Sequence, residues 1–509
     1  MSLFFPASAT STKTKKDFEA FWQQLGEYLP LPELTITAAP QSIEMPTLEA
    51  PLLHSLKKLL SPDRVISTSA ERYAYAGGQT YTGFLHKQNK EYMPHAVVLP
   101  QNESEIAALM LWASQREIHV LPWGSGTAPY YSKTQTDVPF LVIDMQQLNR
   151  LLEIDTQRAQ LQVQSGTHWE VIERELEPTA MTTGQLFPSQ NATVGGHVAT
   201  NAVGVKALGY GTLLDNVIQI RAITPSGPIE ISRPMPGKAD SRVLMLGSYG
   251  TWGIITKVTV RLFPAPLEKI SLQIGFTSWA EAIKTLQKLL REDYKPTAAC
   301  IIGNKERRLF STTNLHGWRQ LIPAVRTTPN LWEAYLCLEI EGKHATVNLI
   351  RQQIEKTIQD TEANIEINKR PTLNGYGLWT QRQDWLQELW RRKILAHTIT
   401  ASVPWADLPD FIQDWEEALS SIIHATSNYA GLPLTKVYAT QDYALIETLL
   451  IGHQSPGSTE AQENQLKSIQ AVALETKRRW GIDSNTSTLM TLAITAAHEK
   501  LDPNGIMLR

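Results

Sequence analysis

Between residues 94 and 262 short apolar runs alternate with amphipathic stretches, a pattern that predicts alternating strands and helices. Ala96-Val-Val-Leu-Pro100, Ile118-His-Val-Leu-Pro122 and Phe140-Leu-Val-Ile-Asp144 read as buried strands. Between the first two, Asn102-Glu-Ser-Glu105 supplies an N-cap and an acidic first turn. Ile106, Leu109, Met110 and Trp112 continue it as a helix. Residues 151–164 predict two strands around Asp155-Thr-Gln-Arg, with Gln160, Gln162 and Gln164 alternating against Leu161 and Val163. A helix over 169–176, a strand over 217–224 turned by Pro225-Ser-Gly227, and a closing strand over 254–262 follow.

The exit Phe263-Pro-Ala-Pro266 marks a domain boundary. Beyond it, strands at 269–275, 298–303 and 331–341 alternate with long amphipathic helices at 279–292, 343–360 and 408–427. That order predicts an antiparallel sheet covered by helices. Upstream, residues 16–28 can form a short helix, 30–51 is a proline-punctuated linker, and a helix is expected over 52–60.

A length of 509 residues calls for more than one core. A net charge of −3 gives no electrostatic case for nucleic acid or an anionic membrane surface. Two cysteines, Cys300 and Cys337, both in apolar strand-like contexts, exclude a disulfide framework and any Cys-rich metal or iron–sulfur site. No apolar stretch approaches the ~18 residues of a membrane helix, and the expected residence is cytoplasmic.

Three glycine-rich runs stand beside predicted strands: Pro122-Trp-Gly-Ser-Gly-Thr127, Thr193-Val-Gly-Gly-His-Val-Ala-Thr-Asn201-Ala-Val-Gly204 and Gly247-Ser-Tyr-Gly-Thr-Trp-Gly253-Ile-Ile-Thr256. Glycine lets main-chain N–H groups approach a pyrophosphate with no Cβ in the way, and such groups favour anions. Three such runs are what an extended dinucleotide requires, and they point to flavin adenine dinucleotide.

These runs, with Tyr210-Gly211, Asp215-Asn-Val217 and Thr224-Pro-Ser-Gly227 in the same order, resemble the flavin domain of the vanillyl-alcohol oxidase / p-cresol methylhydroxylase (PCMH-type) superfamily. Within it the chain looks most like the branch holding the glycolate oxidase flavoprotein subunit, D-lactate dehydrogenase and alkyldihydroxyacetonephosphate synthase. The implied fold class is α+β: a two-domain flavoprotein with a PCMH-type FAD-binding domain and an α+β cap. The expected boundaries are an N-terminal extension and linker at 1–51, the FAD domain at 52–265 with its core from about 90, the cap at 266–480, and a segment at 481–509 returning to the FAD domain. By resemblance, Trp123, Gly124, Ser125, Gly126 and Thr127 wrap the pyrophosphate. Thr193, Gly195, Gly196, Asn201 and Gly204 run along the ribityl and pyrophosphate stretch, preceded by Pro188 and Ser189. Gly253, Ile254 and Ile255 lie toward the adenine. Some relatives tether flavin through His or Cys near the first run; residues 122–131 hold neither, so the FAD is expected to be non-covalent.

Where related dehydrogenases carry a His-Gly-x-Gly run and a metal-binding His pair, this chain reads Trp480-Gly-Ile-Asp-Ser-Asn-Thr-Ser-Thr488, and no metal is expected. Arg382 is the candidate anchor for a substrate carboxylate, through a bidentate guanidinium fork, and is equally readable as a surface helix arginine. His397 is one general-base candidate, with a core or edge position as its other reading; the other is Glu447, which by resemblance falls about where the alkyl-transfer enzyme would have its tyrosine acid. His197 reads as a polar spacer near the cofactor and His168 as a cap residue.

The expected reaction is oxidation of a small 2-hydroxy acid or related alcohol by hydride transfer to flavin N5. Reoxidation would be by oxygen, a quinone or a carrier protein. The rival readings are a catalytically silent FAD-binding subunit of a multisubunit oxidase and a transferase resembling alkyldihydroxyacetonephosphate synthase. A homo-oligomer or an oxidase complex is compatible with either.

Overall fold

The computed structural model describes residues 12–31, 46–87, 92–128, 138–187, 189, 191–291, 295–311, 332–359, 364–368, 383–427, 429, 431–482 and 496–507. It divides into two compact units, Ala38–Leu267 with Asp483–Arg509 and Met1–Thr37 with Glu268–Ile482. Among the described residues no helix is long and apolar enough to cross a membrane.

The first unit holds two main sheets. In one, Val65–Ile66, Ala96–Val98, Phe140–Asp144 and His119–Trp123 lie side by side in that order. The last three are parallel and the first is antiparallel to its neighbour. Parallel strands bury both faces, which is why these runs are apolar throughout their middles, with His119 and Asp144 only at strand ends, rather than alternating. Ala96, Val98, Val120, Leu141 and Ile143 pack with Ile106, Leu109 and Met110 of the helix Glu103–Ser114. Val97, Leu121, Trp123 and Val142 form the opposite cluster. Asn102 caps that helix as its sequence predicts, accepting from Glu105 N–H at 2.9 Å.

The second sheet is antiparallel, in the order Leu151–Asp155, Gln160–Gln164, Ile254–Arg261, Val217–Thr224 and Gly227–Ser232. Leu161 and Val163 enter a core with Val258, Val260, Ile220 and the helix Trp169–Leu176, while the alternating glutamines stay outside it. The C-terminal segment is tied to the parallel sheet. Val120 N–H donates to Ile506 O at 2.7 Å, and Ile506 and Met507 are buried in its core. Each such side chain stabilises by about 1.5–3 kcal/mol.

The second unit is a seven-stranded, wholly antiparallel sheet in the order Asn364–Asn368, Glu268–Phe276, Ala334–Gly342, Ala298–Gly303, Leu432–Ala439, Ala444–His453 and Ile394–Val403. The helices Trp279–Leu290, His344–Gln359 and Leu408–Ser427 cover one face. Trp415 Nε1–H donates to Thr448 Oγ1 at 2.9 Å there, and Cβ atoms on Gly303 and Gly452 would meet Trp279 and Ile423. Cys300 and Cys337 stand opposite one another on adjacent strands, both buried and both free thiols.

The short helix expected over 16–28 is the helix Thr12–Leu25, which is no loose extension but packs within this second unit: Phe18 and Phe21 contact the Trp385 ring, and Arg392 reaches Glu19 at 2.9 Å while lying over Phe18 and Trp22. Its partners lie some 370 residues downstream, a distance no local pattern reports.

Candidate functional site

The three glycine runs meet. The first leaves the His119–Trp123 strand, and a Cβ on Gly124 would fall 2.4 Å from Thr193 Oγ1 of the second run. A Cβ on Gly250 of the third run would fall 2.5 Å from Pro122 Cγ. Gly247 N–H and Tyr249 N–H donate to Val198 O and Ala199 O, closing the second run onto the third. Glycine is required at these contacts because a Cβ would run into side-chain atoms of the neighbouring segment, Thr193 in one case and Pro122 in the other. Gly126 is left-handed at φ +69°, its missing Cβ leaving room for the buried Trp123 indole beneath.

The second run is not the open loop its composition suggests. Val194–Thr200 is a short helix, with Thr193 as N-cap accepting from Gly196 N–H at 3.2 Å and left-handed Asn201 (φ +47°) at its end. Glycine is a poor helix former, yet packing decides here: a Cβ on Gly195 would lie 2.7 Å from Ser165 Cβ. Gly204 sits against Leu186 and Gln185, and Ser189 is half-buried just upstream. Gly253 opens the Ile254–Arg261 strand, where Ile254 and Ile255 are buried opposite Ile223 and Ala222. Their side chains therefore serve the core, leaving only backbone groups for a ligand. Pro188 and Arg382 lie outside the described residues.

A dinucleotide fits this cradle. Ser125 Oγ, Ser165 Oγ, Thr167 Oγ1 and Gln185 Nε2 are buried without a hydrogen-bond partner among the described residues. Each belongs to one of these runs or to a segment packed on one, since Val194 N–H donates to Thr167 O and Gly195 N–H to Ser165 O. Buried polar atoms normally find partners, and these four, on or beside the glycine runs, are atoms that a polar ligand held there would satisfy. Ser165, Thr167 and Gln185 were missed in the sequence because only their packing against Gly195, Val194 and Gly204 singles them out.

His197 is buried, with its ring stacked on Phe187 at 4.0 Å. Trp169 Nε1–H, which can only donate, reaches His197 Nδ1 at 2.8 Å. Burial pushes its pKa down to about 3, so it is a neutral packing residue. His168 stands at the N-cap of the Trp169–Leu176 helix.

In the second unit, register separates the two base candidates. Glu447 is opposite Thr400 and Lys436, whereas His397 is opposite Leu450. Residues 447 and 450 are an odd number apart, so their side chains take opposite faces of the sheet. His397 takes the helix-covered face, and burial lowers its pKa to about 4. Glu447 takes the other face with Lys436 and Tyr438, both fully buried. Lys436 Nζ lies 3.0 Å from Glu306 Oε1, an ion pair almost sealed from solvent. Burial raises the Glu447 pKa; Lys436 pulls it down and Glu306 pushes it further up. Burial and then Glu447 itself push the Tyr438 phenol well above its ordinary range. Lys436, Tyr438 and Glu306 carry no motif; strand pairing and the packing of the helix Asn304–Ser311 gather them. Among the described residues no group of three or more His, Cys, Asp or Glu side chains is placed to hold a metal ion.

Comparison with known proteins agrees with both units. Residues 94–232 match the FAD binding domain family, and residues 265–458 match the C-terminal domain of FAD linked oxidases. A D-lactate dehydrogenase of Anaerostipes hadrus is 26% identical over 368 residues, covering 70% of this chain and 74% of that protein. The glycolate oxidase subunit GlcD of Bacillus subtilis is 24% identical, covering 70% and 73%. Among solved structures, an alkyldihydroxyacetonephosphate synthase superposes with a TM-score of 0.81 at 17% identity, over 96% of this chain and 91% of that one. Substrate-bound p-cresol methylhydroxylase superposes at 0.66 and 12% identity, over 91% and 97%. The chain thus belongs to the FAD-linked oxidases, with FAD as its cofactor, and shares the fold of p-cresol methylhydroxylase.

Proposed function

We propose that this FAD-linked oxidoreductase oxidises a small 2-hydroxy acid at its C–OH carbon. The observation that carries the reading is the Glu447 carboxyl, buried on the face of the antiparallel sheet opposite the covering helices, beside Lys436 and Tyr438. Relatives named for D-lactate and glycolate support the substrate class.

Bound FAD supplies the hydride acceptor. Ser125, Gly126, Thr127, Thr193 and Asn201 hold it, with Ser165, Thr167 and Gln185 completing their unmet hydrogen bonds on it. Glu447 accepts the substrate hydroxyl proton on its carboxylate, and its raised pKa brings it nearer the operating pH than an exposed glutamate. Lys436 keeps that carboxylate ionisable inside a buried site. Arg382 pairs with the substrate carboxylate through its guanidinium fork. His397 takes no part, because it lies on the other face.

The test is anaerobic flavin photometry of the holoprotein against a panel including D-lactate and glycolate, repeated with Arg382→Ala and Glu447→Gln. The reading expects bleaching of the flavin band by at least one hydroxy acid and its loss in both variants. A flavin that no hydroxy acid reduces would instead mark a silent FAD-binding subunit.

A further inference from the structure

Upstream of the FAD-domain match, a separate glycine turn folds against the first glycine run. Gly77 and Gly78 are consecutive left-handed residues, at φ +78° and +69°. A Cβ on Gly83 would fall 1.5 Å from Gly77 O, so these two backbones cross in direct contact. Thr80 then caps the helix Tyr81–His86, accepting from Gly83 N–H at 3.1 Å. Between turn and helix stands Gln79, which the sequence did not single out. Its backbone N–H donates to Gly126 O at 2.7 Å, and its Nε2 donates to Ser125 O at 2.9 Å.

These two bonds orient consecutive peptides. In a trans peptide the carbonyl and the following N–H point in opposite directions, and among the described residues there is no cis peptide. With Ser125 O and Gly126 O both drawn toward Gln79, the N–H groups of Gly126 and Thr127 turn to the other side of the loop. Among the described residues neither of those N–H groups donates to a backbone carbonyl. Adjacent N–H groups presented together around a left-handed glycine form an anion-binding nest. A flip of either peptide would put a carbonyl oxygen where the anion belongs.

We propose that Gln79 is the positioning residue of the first glycine run, holding its two carbonyls away so that its amides face the FAD diphosphate. It does not touch the cofactor; it acts through Ser125 and Gly126. The inference rests on FAD binding alone and is independent of the substrate.

The experiment uses Gln79→Met, which keeps length and packing but loses the side-chain donor, and Gln79→Glu, which adds a carboxylate beside two carbonyls. FAD affinity of the apoprotein is read by flavin fluorescence, ADP affinity by competition, and apoprotein stability by its melting temperature. Losing one neutral hydrogen bond predicts FAD binding roughly 3- to 10-fold weaker in Gln79→Met. ADP, which shares only the adenosine diphosphate half, should weaken by the same factor, with the melting temperature unchanged; Gln79→Glu should weaken both further. Wild-type affinities for FAD and ADP would overturn the proposal, as would loss of FAD affinity with ADP unaffected. Apoprotein that is destabilised or unfolded in both variants would assign Gln79 to the fold, and would overturn it too.

Discussion

Gly124 and Thr193 are pressed together so closely that a Cβ on the glycine would stand 2.4 Å from the threonine hydroxyl. That hydroxyl also caps the Val194–Thr200 helix through Gly196 N–H. Gly124→Ala therefore displaces a capping side chain and overpacks a junction of two cofactor-binding runs, at about 1–3 kcal/mol. FAD should bind about tenfold or more weaker, and the apoprotein should melt earlier; flavin retention through gel filtration together with a thermal melt checks both.

Glu447→Gln tests the proposed base. The base works ionised, and burial raises its pKa, so kcat/KM in the native protein should climb with pH through a limb above the ordinary glutamate range. The amide cannot accept the proton. Turnover should drop about 10²- to 10⁴-fold and that limb should vanish, with FAD content unchanged. Intact turnover with an unaltered pH profile would remove Glu447 from the chemistry.

Lys436 and Glu306 should move that limb in opposite directions. Lys436→Met removes the cation that favours ionised Glu447, which shifts the limb to higher pH. Glu306→Gln removes a repelling carboxylate and shifts it lower. Because the pair is sealed, Lys436→Met also strands a buried charge, at about 3–5 kcal/mol of stability. Chemical denaturation of the single and double variants measures that cost, and identical pH profiles in all of them would contradict the coupling.

His397 predicts an acid sensitivity of the fold. Its folded pKa of about 4 lies below the unfolded value of 6.5, so the unfolded chain binds the proton more readily. Its contribution is intact above pH 6.5 and declines as pH falls toward 4, by about 3 kcal/mol at most. His397→Leu should flatten that part of the stability curve, seen in melting temperatures across pH 4 to 7. An unchanged slope would place the sensitivity on the other histidines whose pKa desolvation lowers, His197, His86 and His95 among them.

Much of the architecture was legible because it follows from local periods. Phe140–Asp144, Trp169–Leu176, Val217–Thr224 and Leu408–Ser427 begin and end where the patterning puts them. The Val194–Thr200 helix was not, since two adjacent glycines argue against a helix until Ser165 is seen pressed against Gly195. Strands Leu432–Ala439 and Ala444–His453, nearly all buried, lack the polar alternation that would have announced them.

The sequence alone determined that this chain binds a dinucleotide, because glycine at spaced positions is a local requirement of backbone approaching an anion. It also determined the two-layer character of the second half, because amphipathic period is a local property. Only the tertiary structure decided which polar atoms are left unmet along the cradle, that Gln79 grips the first loop, and that Glu447 faces Lys436 while His397 turns away. Those are relations between residues far apart in the chain, fixed by strand register and by close packing of backbone on backbone, and neither leaves a mark on the residues taken one stretch at a time.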